Sequence, residues 1–326
     1  MSENIKVDRR DFMRSSATAA VAGAVWLAAE SPADMAPPTP PTVSERYRES
    51  GRIALTFDKP TAMAVGSDGS VYAAGDQAVV VFSDDAKETA RYRVKGAPEC
   101  LAVLPDGRLL LGMRDHVEVL DPKSASVTAW PSLGERGYLT SFAVDEENVY
   151  AADAGNRAVL RFDHSGKLRG RIGERDPKGE APGLVVPSPY FDVAIDAQGA
   201  LWVVNPGRHG LENYRPNGEL LSAWYRPGMD LNGFCGCCNP THIAFRGGTL
   251  VTAEKGLNRV KVYGPDTRLS GVVATPELLE AAETTSLNCA HEPPIIGLAV
   301  DARNRILVLH RRWKAIVLFE ETAGSA

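Results

Sequence analysis

At six places along this 326-residue chain an alanine between two apolar residues sits in the same sequence context. The triplets are Met63-Ala64-Val65, Leu101-Ala102-Val103, Phe142-Ala143-Val144, Val193-Ala194-Ile195, Ile243-Ala244-Phe245 and Leu298-Ala299-Val300, spaced 38 to 55 residues apart. Each is followed by a turn such as Ser67-Asp68-Gly69, then by a second apolar run such as Val71-Tyr72-Ala73-Ala74. A third run ends on a large apolar or aromatic residue: Phe82, Leu120, Phe162, Tyr214, Tyr263 and Phe319. Apolar runs of this length, bounded by Gly, Asp and Asn turns, read as strands rather than helices. Such a unit cannot bury both of its faces alone, so it must stack against its neighbours.

Three strands with a more polar fourth, repeated at this period, predict the blades of a β-propeller. The sixth unit stops after its third strand at Phe319. Gly51 to Phe57, ahead of the first unit, has the character of a fourth strand, comparable with Gly166 to Ile172. Pairing it with the last blade would remove an open sheet edge. The expected fold is therefore all-β, a six-bladed propeller over residues 46–320 closed by its N-terminal strand, with a tail at 321–326.

The first 45 residues read differently. Asp8-Arg9-Arg10-Asp11-Phe12-Met13-Arg14 precedes a short apolar run, Ala17 to Ala29, the pattern of a twin-arginine signal peptide over residues 1–30. That run is too short for an ordinary membrane span. Residues 31–45 carry Pro32, Pro37, Pro38, Pro40 and Pro41 and read as an extended linker. The expected location is periplasmic or extracytoplasmic, with no transmembrane span once the signal is removed. A formal net charge of -5, without runs of Lys or Arg interleaved with aromatics, argues against a nucleic-acid partner.

Aligning the units places chemistry. Two positions before each alanine stand Ala62, Cys100, Ser141, Asp192, His242 and Gly297; ten or eleven after it stand Gly75, Met113, Asp153, Asn205, Glu254 and His310. Both sets are expected at one mouth of the central channel, because the innermost strand begins where the second strand ends. Three of the five cysteines fall in Gly233-Phe234-Cys235-Gly236-Cys237-Cys238-Asn239-Pro240, in the connection into blade five. Cys289 occupies the corresponding connection into blade six.

Four thiols on neighbouring connections make Cys235, Cys237, Cys238 and Cys289 a candidate ligand set for zinc, copper or an iron-sulfur cluster. An oxidising destination would favour disulfides instead, and Cys235 and Cys238 have redox-pair spacing. Adjacent Cys237 and Cys238 and the lack of ferredoxin spacing weigh against a cluster. Cys100, among Leu101, Val103 and Leu104, reads as a buried, unreactive thiol. His242 and His291 flank the cysteine positions and could complete or support such a site. Glu254 with Lys255 and Arg259 could bind an anionic ligand at the same mouth, or form an ion-paired turn. His310-Arg311-Arg312-Trp313 is a basic-aromatic cluster in the matching turn of blade six.

Unit three, Ala151-Ala152-Asp153-Ala154-Gly155-Asn156-Arg157-Ala158-Val159-Leu160-Arg161-Phe162-Asp163, resembles the NHL repeat. The cysteine loop followed by Thr252-Ala253-Glu254-Lys255-Gly256-Leu257-Asn258-Arg259-Val260-Lys261-Val262-Tyr263 resembles a group of exported bacterial NHL propellers with the same Cys-Gly-Cys-Cys-Asn-Pro loop. The resemblance implies a propeller and a functional loop without naming its chemistry.

Three functions follow from these residues. The first is a redox or metal-handling site at the cysteine loop, serving a redox partner protein or a small molecule. The second is a lyase or hydrolase using Asp153, Asp192, Asn205, Glu254 and His310 at the channel mouth. The third is an interaction scaffold with structural disulfides. No nucleophile elbow, HExxH or phosphate-binding glycine loop is present.

Overall fold

Each repeat forms one four-stranded antiparallel sheet, and there are six. The structure, a computed structural model, describes residues 46–175, 183–236, 238–280 and 293–322. The signal and linker expected at 1–45, Cys237, Cys289 and His291 lie outside the described residues. Blade one comprises Pro60–Val65, Val71–Gly75, Ala78–Phe82 and Glu88–Arg93. Blade two comprises Cys100–Val103, Leu109–Met113, His116–Asp121 and Ser126–Ala129. Blade three comprises Leu139–Val144, Asn148–Asp153, Ala158–Asp163 and Leu168–Ile172. Blade four comprises Val193–Ile195, Leu201–Asn205, Gly210–Tyr214 and Leu220–Tyr225. Blade five comprises His242–Arg246, Thr249–Glu254, Arg259–Tyr263 and Leu269–Ala274.

Blade six has three strands from the C-terminal region, Ile295–Val300, Ile306–His310 and Ala315–Glu321, the last running one residue past the expected boundary. Its fourth strand is Tyr47–Ala54, paired antiparallel so that Arg52 faces Val317, Ile53 faces Ile316 and Ala54 faces Ala315. The innermost strands touch one another in order around the ring, blade six meeting blade one. The ring therefore closes through the first described strand. Among the described residues no helix is long and apolar enough to cross a membrane.

The core is divided among the six blade-to-blade interfaces. Ile53, Leu55 and Phe57 pack with Val71 and Phe82 of blade one and with Leu307 and Leu318 of blade six. Corresponding clusters fill the five other interfaces. Second strands lie between other strands and between other blades, so they are buried on both faces and read as continuous apolar runs. The repeated alanines, Ala64 to Ala299, line the central channel. Inner strands converge there, and the taper leaves room only for small side chains.

The residues ending the second strands turn into the protein and hold the connection arriving from the previous blade. Asp153, fully buried, accepts the Tyr138 amide at 2.9 Å and the Asn156 side chain at 2.7 Å. Asn205 accepts the Val185 amide at 3.0 Å and donates to Glu212 at 2.7 Å. One residue later in blade one, Asp76 accepts the amides of Asp58 and Lys59. His310 reaches the Leu279 carbonyl at 2.8 Å through Nε2, while its Nδ1 accepts the Trp313 amide at 3.2 Å. These contacts fix a neutral ring with the proton on Nε2. Contact between turn and connection is close: a Cβ on Gly155 would stand 1.7 Å from the Arg136 carbonyl oxygen.

Burial holds His310 below its ordinary pKa of 6.5. On acidification the unfolded chain takes up its proton first, so stability is full above that value and declines as the pH falls below it toward the folded-state pKa. Chemical denaturation at about pH 7.5 and about pH 5 should show this decline, and His310→Gln should reduce it.

Candidate functional site: the channel mouth

The channel encloses about 380 Å³ and is lined by residues from all six innermost strands. Ala62, Cys100, Ser141, Asp192, His242 and Gly297 line it as their alignment predicts, together with Glu99, which alignment on the alanines did not single out. Asp192 is buried, and both of its carboxylate oxygens are anchored: Oδ1 accepts the Val193 amide and Oδ2 the Ile243 amide, each at 2.8 Å. His242 Nδ1 lies 3.5 Å from Asp192 Oδ2. The carboxylate is thus held by backbone in the orientation that faces the imidazole, which leaves Nε2 as the ring's second proton site.

Glu99 stands open to solvent at the rim of blade two, yet the surrounding channel wall removes enough water to raise its carboxyl above the ordinary 4.5. The charges of Arg311 and Arg114 pull the other way and do not win. Cys100 is fully enclosed between its strand, Gly112 and Phe142. Burial pushes its thiol far up, with Glu99 and Asp192 adding to the effect, so it is no nucleophile.

The second aligned set does not share this mouth. Asp153, Asn205 and His310 are loop holders, as described above, and Glu254 is likewise inside. Glu254 has no exposed surface and is bridged by Arg259 through both of its oxygens at 3.0 Å and by Lys261 Nζ at 2.6 Å. The same two cations hold the cysteine connection. Arg259 donates to the carbonyls of Asp230 and Gly233, each at 3.0 Å, and Lys261 to those of Leu231 at 3.1 Å and Gly233 at 2.8 Å. Tyr263 adds a hydrogen bond to the Asn232 carbonyl. Alternation along a strand explains the grouping, since Arg259, Lys261 and Tyr263 share one face. Burial pushes Lys261 down to about 8 against the attraction of Glu254.

Glu254 and Arg259 therefore neutralise each other within blade five and offer no anion site at the surface. Lys255 is separate: it is 4% exposed, with its Nζ 4.4 Å from the centre of the Tyr190 ring. Asn239 fixes the Lys255 backbone, accepting its amide and donating to its carbonyl, each at 2.9 Å, and also donates to the Cys235 carbonyl.

Cys235 and Cys238 are both buried on this connection. Burial raises the Cys235 thiol, opposed by the Leu257 amide and reinforced by Glu254. At neutral pH it is a thiol rather than a ready thiolate ligand. Among the described residues no three His, Cys, Asp or Glu side chains converge as a metal ion requires.

No family model matches the chain, and no curated protein matches it. Solved structures share its fold. The selenomethionine-substituted virginiamycin B lyase from Staphylococcus aureus superposes with a TM-score of 0.57 at 13% identity, covering 85% of this chain and 100% of that one. A streptogramin B lyase gives 0.56 at 12% identity, covering 85% and 98%. A Bacteroides thetaiotaomicron protein of unknown function gives 0.53 at 16% identity, covering 81% and 69%. At these identities the likeness is one of fold.

Proposed function

We propose that the chain is an exported propeller enzyme of the lyase or hydrolase kind, with its acid–base centre at the channel mouth. The observation that carries this reading is the Asp192–His242 pair, held by backbone amides on the wall of a cavity that also contains a carboxyl of raised pKa. A carboxyl and an imidazole lining one cavity are the pattern of general acid–base chemistry. Glu99, made more basic by its surroundings, takes a proton from the substrate or from an attacking water. His242, faced by Asp192 at 3.5 Å, gives one to the leaving oxygen. The protons balance over one turnover when His242 and Glu99 re-equilibrate with water. Two solved neighbours with this fold are described as lyases, which supports the reaction class. Export rests on the sequence of residues 8–29.

A panel of lactones, cyclic depsipeptides and uronide oligosaccharides should contain a substrate turned over by the wild-type protein. His242→Ala should lower kcat on it by about 10²- to 10⁴-fold. Turnover undiminished by His242→Ala, or none across the panel, would overturn the reading.

The cysteine loop supports a second reading, a thiolate-bound metal or iron-sulfur centre in electron transfer or metal handling. Its favouring observation is the burial of Cys235 and Cys238 together on a connection pinned by buried charges. Cys237 and Cys289 would have to complete the set. Elemental analysis of anaerobically purified protein separates the readings: iron with sulfide, or copper or zinc at one equivalent and lost in Cys235→Ser, would establish the centre.

A further inference from the structure

Among the described residues, the buried cation at this end of blade five is paired with no carboxylate. Lys255 is 4% exposed, and the ring of Tyr190 is the one partner its ammonium has among the described residues. Taking a charge out of water costs several kcal/mol unless an opposite charge or a set of hydrogen bonds replaces the hydration. An aromatic face returns only about 0.5–2 kcal/mol of that. Tyr190 is two residues ahead of Asp192, and Lys255 two residues beyond Ala253, the strand partner of His242, so the cation is placed at the same end of the blades as the acid–base pair.

The distribution of ion pairs around the ring points the same way. The turns between second and third strands border the mouth, and Arg114, Arg208 and Lys255 are placed on them. All three rest on tyrosine rings: Arg114 5.4 Å from Tyr138, Arg208 5.7 Å from Tyr225 and Lys255 4.4 Å from Tyr190. None forms an ion pair among the described residues. Lys314, also on these turns, is paired with Asp58 at 3.2 Å, and the buried Arg259 with Glu254.

On the opposite face the arginines are matched to carboxylates. Arg108 lies 2.8 Å from Asp106, Arg215 3.2 Å from Glu219, Arg246 2.9 Å from Glu321 and Arg305 2.6 Å from Asp301. Cations held in place by aromatic faces keep their charge available, whereas cations matched to carboxylates do not.

We infer that the channel mouth selects an anionic substrate, a small molecule carrying a carboxylate or phosphate group, and that Lys255 is the residue that anchors this group. The inference names the substrate class for the acid–base site proposed above and rests on that reading for what happens to the bound molecule. Arg114 and Arg208 steer the anion toward the mouth, and Lys255 holds it beside Asp192 and His242. Lys255 is thus a binding residue, separate from the groups that move protons.

Calorimetric titration with citrate and with pyrophosphate tests this and distinguishes carboxylate from phosphate recognition. At least one should bind the wild-type protein at about millimolar Kd or tighter, and Lys255→Met should weaken it by at least about tenfold. Lys255→Arg should retain binding to within about threefold. If Lys255→Met does not fold, the salt dependence of wild-type binding decides: Kd rising with ionic strength supports the inference, and a flat response overturns it. Failure of both anions to bind, or equal binding by Lys255→Met, also overturns it. Turnover that survives His242→Ala would instead sink the acid–base reading while leaving the anion site standing.

Discussion

Deleting residues 46–57 should leave a chain with no cooperative unfolding transition. Those residues supply the fourth strand of blade six and, with Ile53, Leu55 and Phe57, the part of the interface that joins the last blade to the first. The three side chains are 3%, 7% and 2% exposed. Their burial is worth about 1.5–3 kcal/mol each, so together they approach the whole net stability of about 5–15 kcal/mol expected of a folded domain. The deletion also exposes the unpaired edge of Ala315–Glu321, a template for association with other chains. The rim pairs Arg46–Glu321 and Arg48–Glu320 add little, being solvent-screened. Chemical denaturation followed by circular dichroism checks this, and an unchanged, cooperative transition in the truncated chain would contradict ring closure by this strand.

Glu254→Gln should destabilise the protein by about 3–5 kcal/mol, because it leaves Arg259 and Lys261 buried without their counter-charge. The carboxylate has no exposed surface and balances both cations, which in turn satisfy carbonyls of residues 230, 231 and 233. Losing it should loosen the cysteine connection before the rest of blade five. Hydrogen exchange would therefore rise first at Leu231 to Cys235. Lys261→Met in the same chain should recover part of the loss, since it removes one of the two uncompensated charges; this non-additivity separates an electrostatic cause from simple misfit. Equal destabilisation of the single and double variants would point to packing instead.

The blades were legible because propeller geometry writes itself into local sequence. Narrow inner strands demand the repeated alanine, buried second strands demand continuous apolar runs, and tight turns demand Gly, Asp and Asn. The missing fourth strand of unit six was equally visible, since Gly51 to Phe57 had no partner otherwise. The position of Asp192 and His242 followed from alignment alone.

Alignment could not show which way a side chain turns at a strand end. Asp153, Asn205, Glu254 and His310 share a register position and were expected at the mouth, yet each turns inward to hold a connection of different length and polarity. Glu99 was missed because it is one residue ahead of the aligned position and sits in a polar stretch that reads as linker. Lys261 carried a signal that went unused: a lysine flanked by Val260 and Val262 in an interior strand, in step with Arg259 two residues before it. A charge in that place needs a buried partner, and Glu254 was the one available.

The most direct test of the acid–base account is the pH profile of kcat/KM on the substrate that the panel identifies. The account predicts a bell. Its acidic limb is set by Glu99 and lies above the ordinary glutamate value of 4.5, because burial outweighs the nearby arginines. Its other limb comes from His242 in its role as the general acid. Glu99→Gln should remove the acidic limb, and His242→Ala the other. A profile that keeps both limbs in both variants would contradict the assignment of the channel mouth as the catalytic centre.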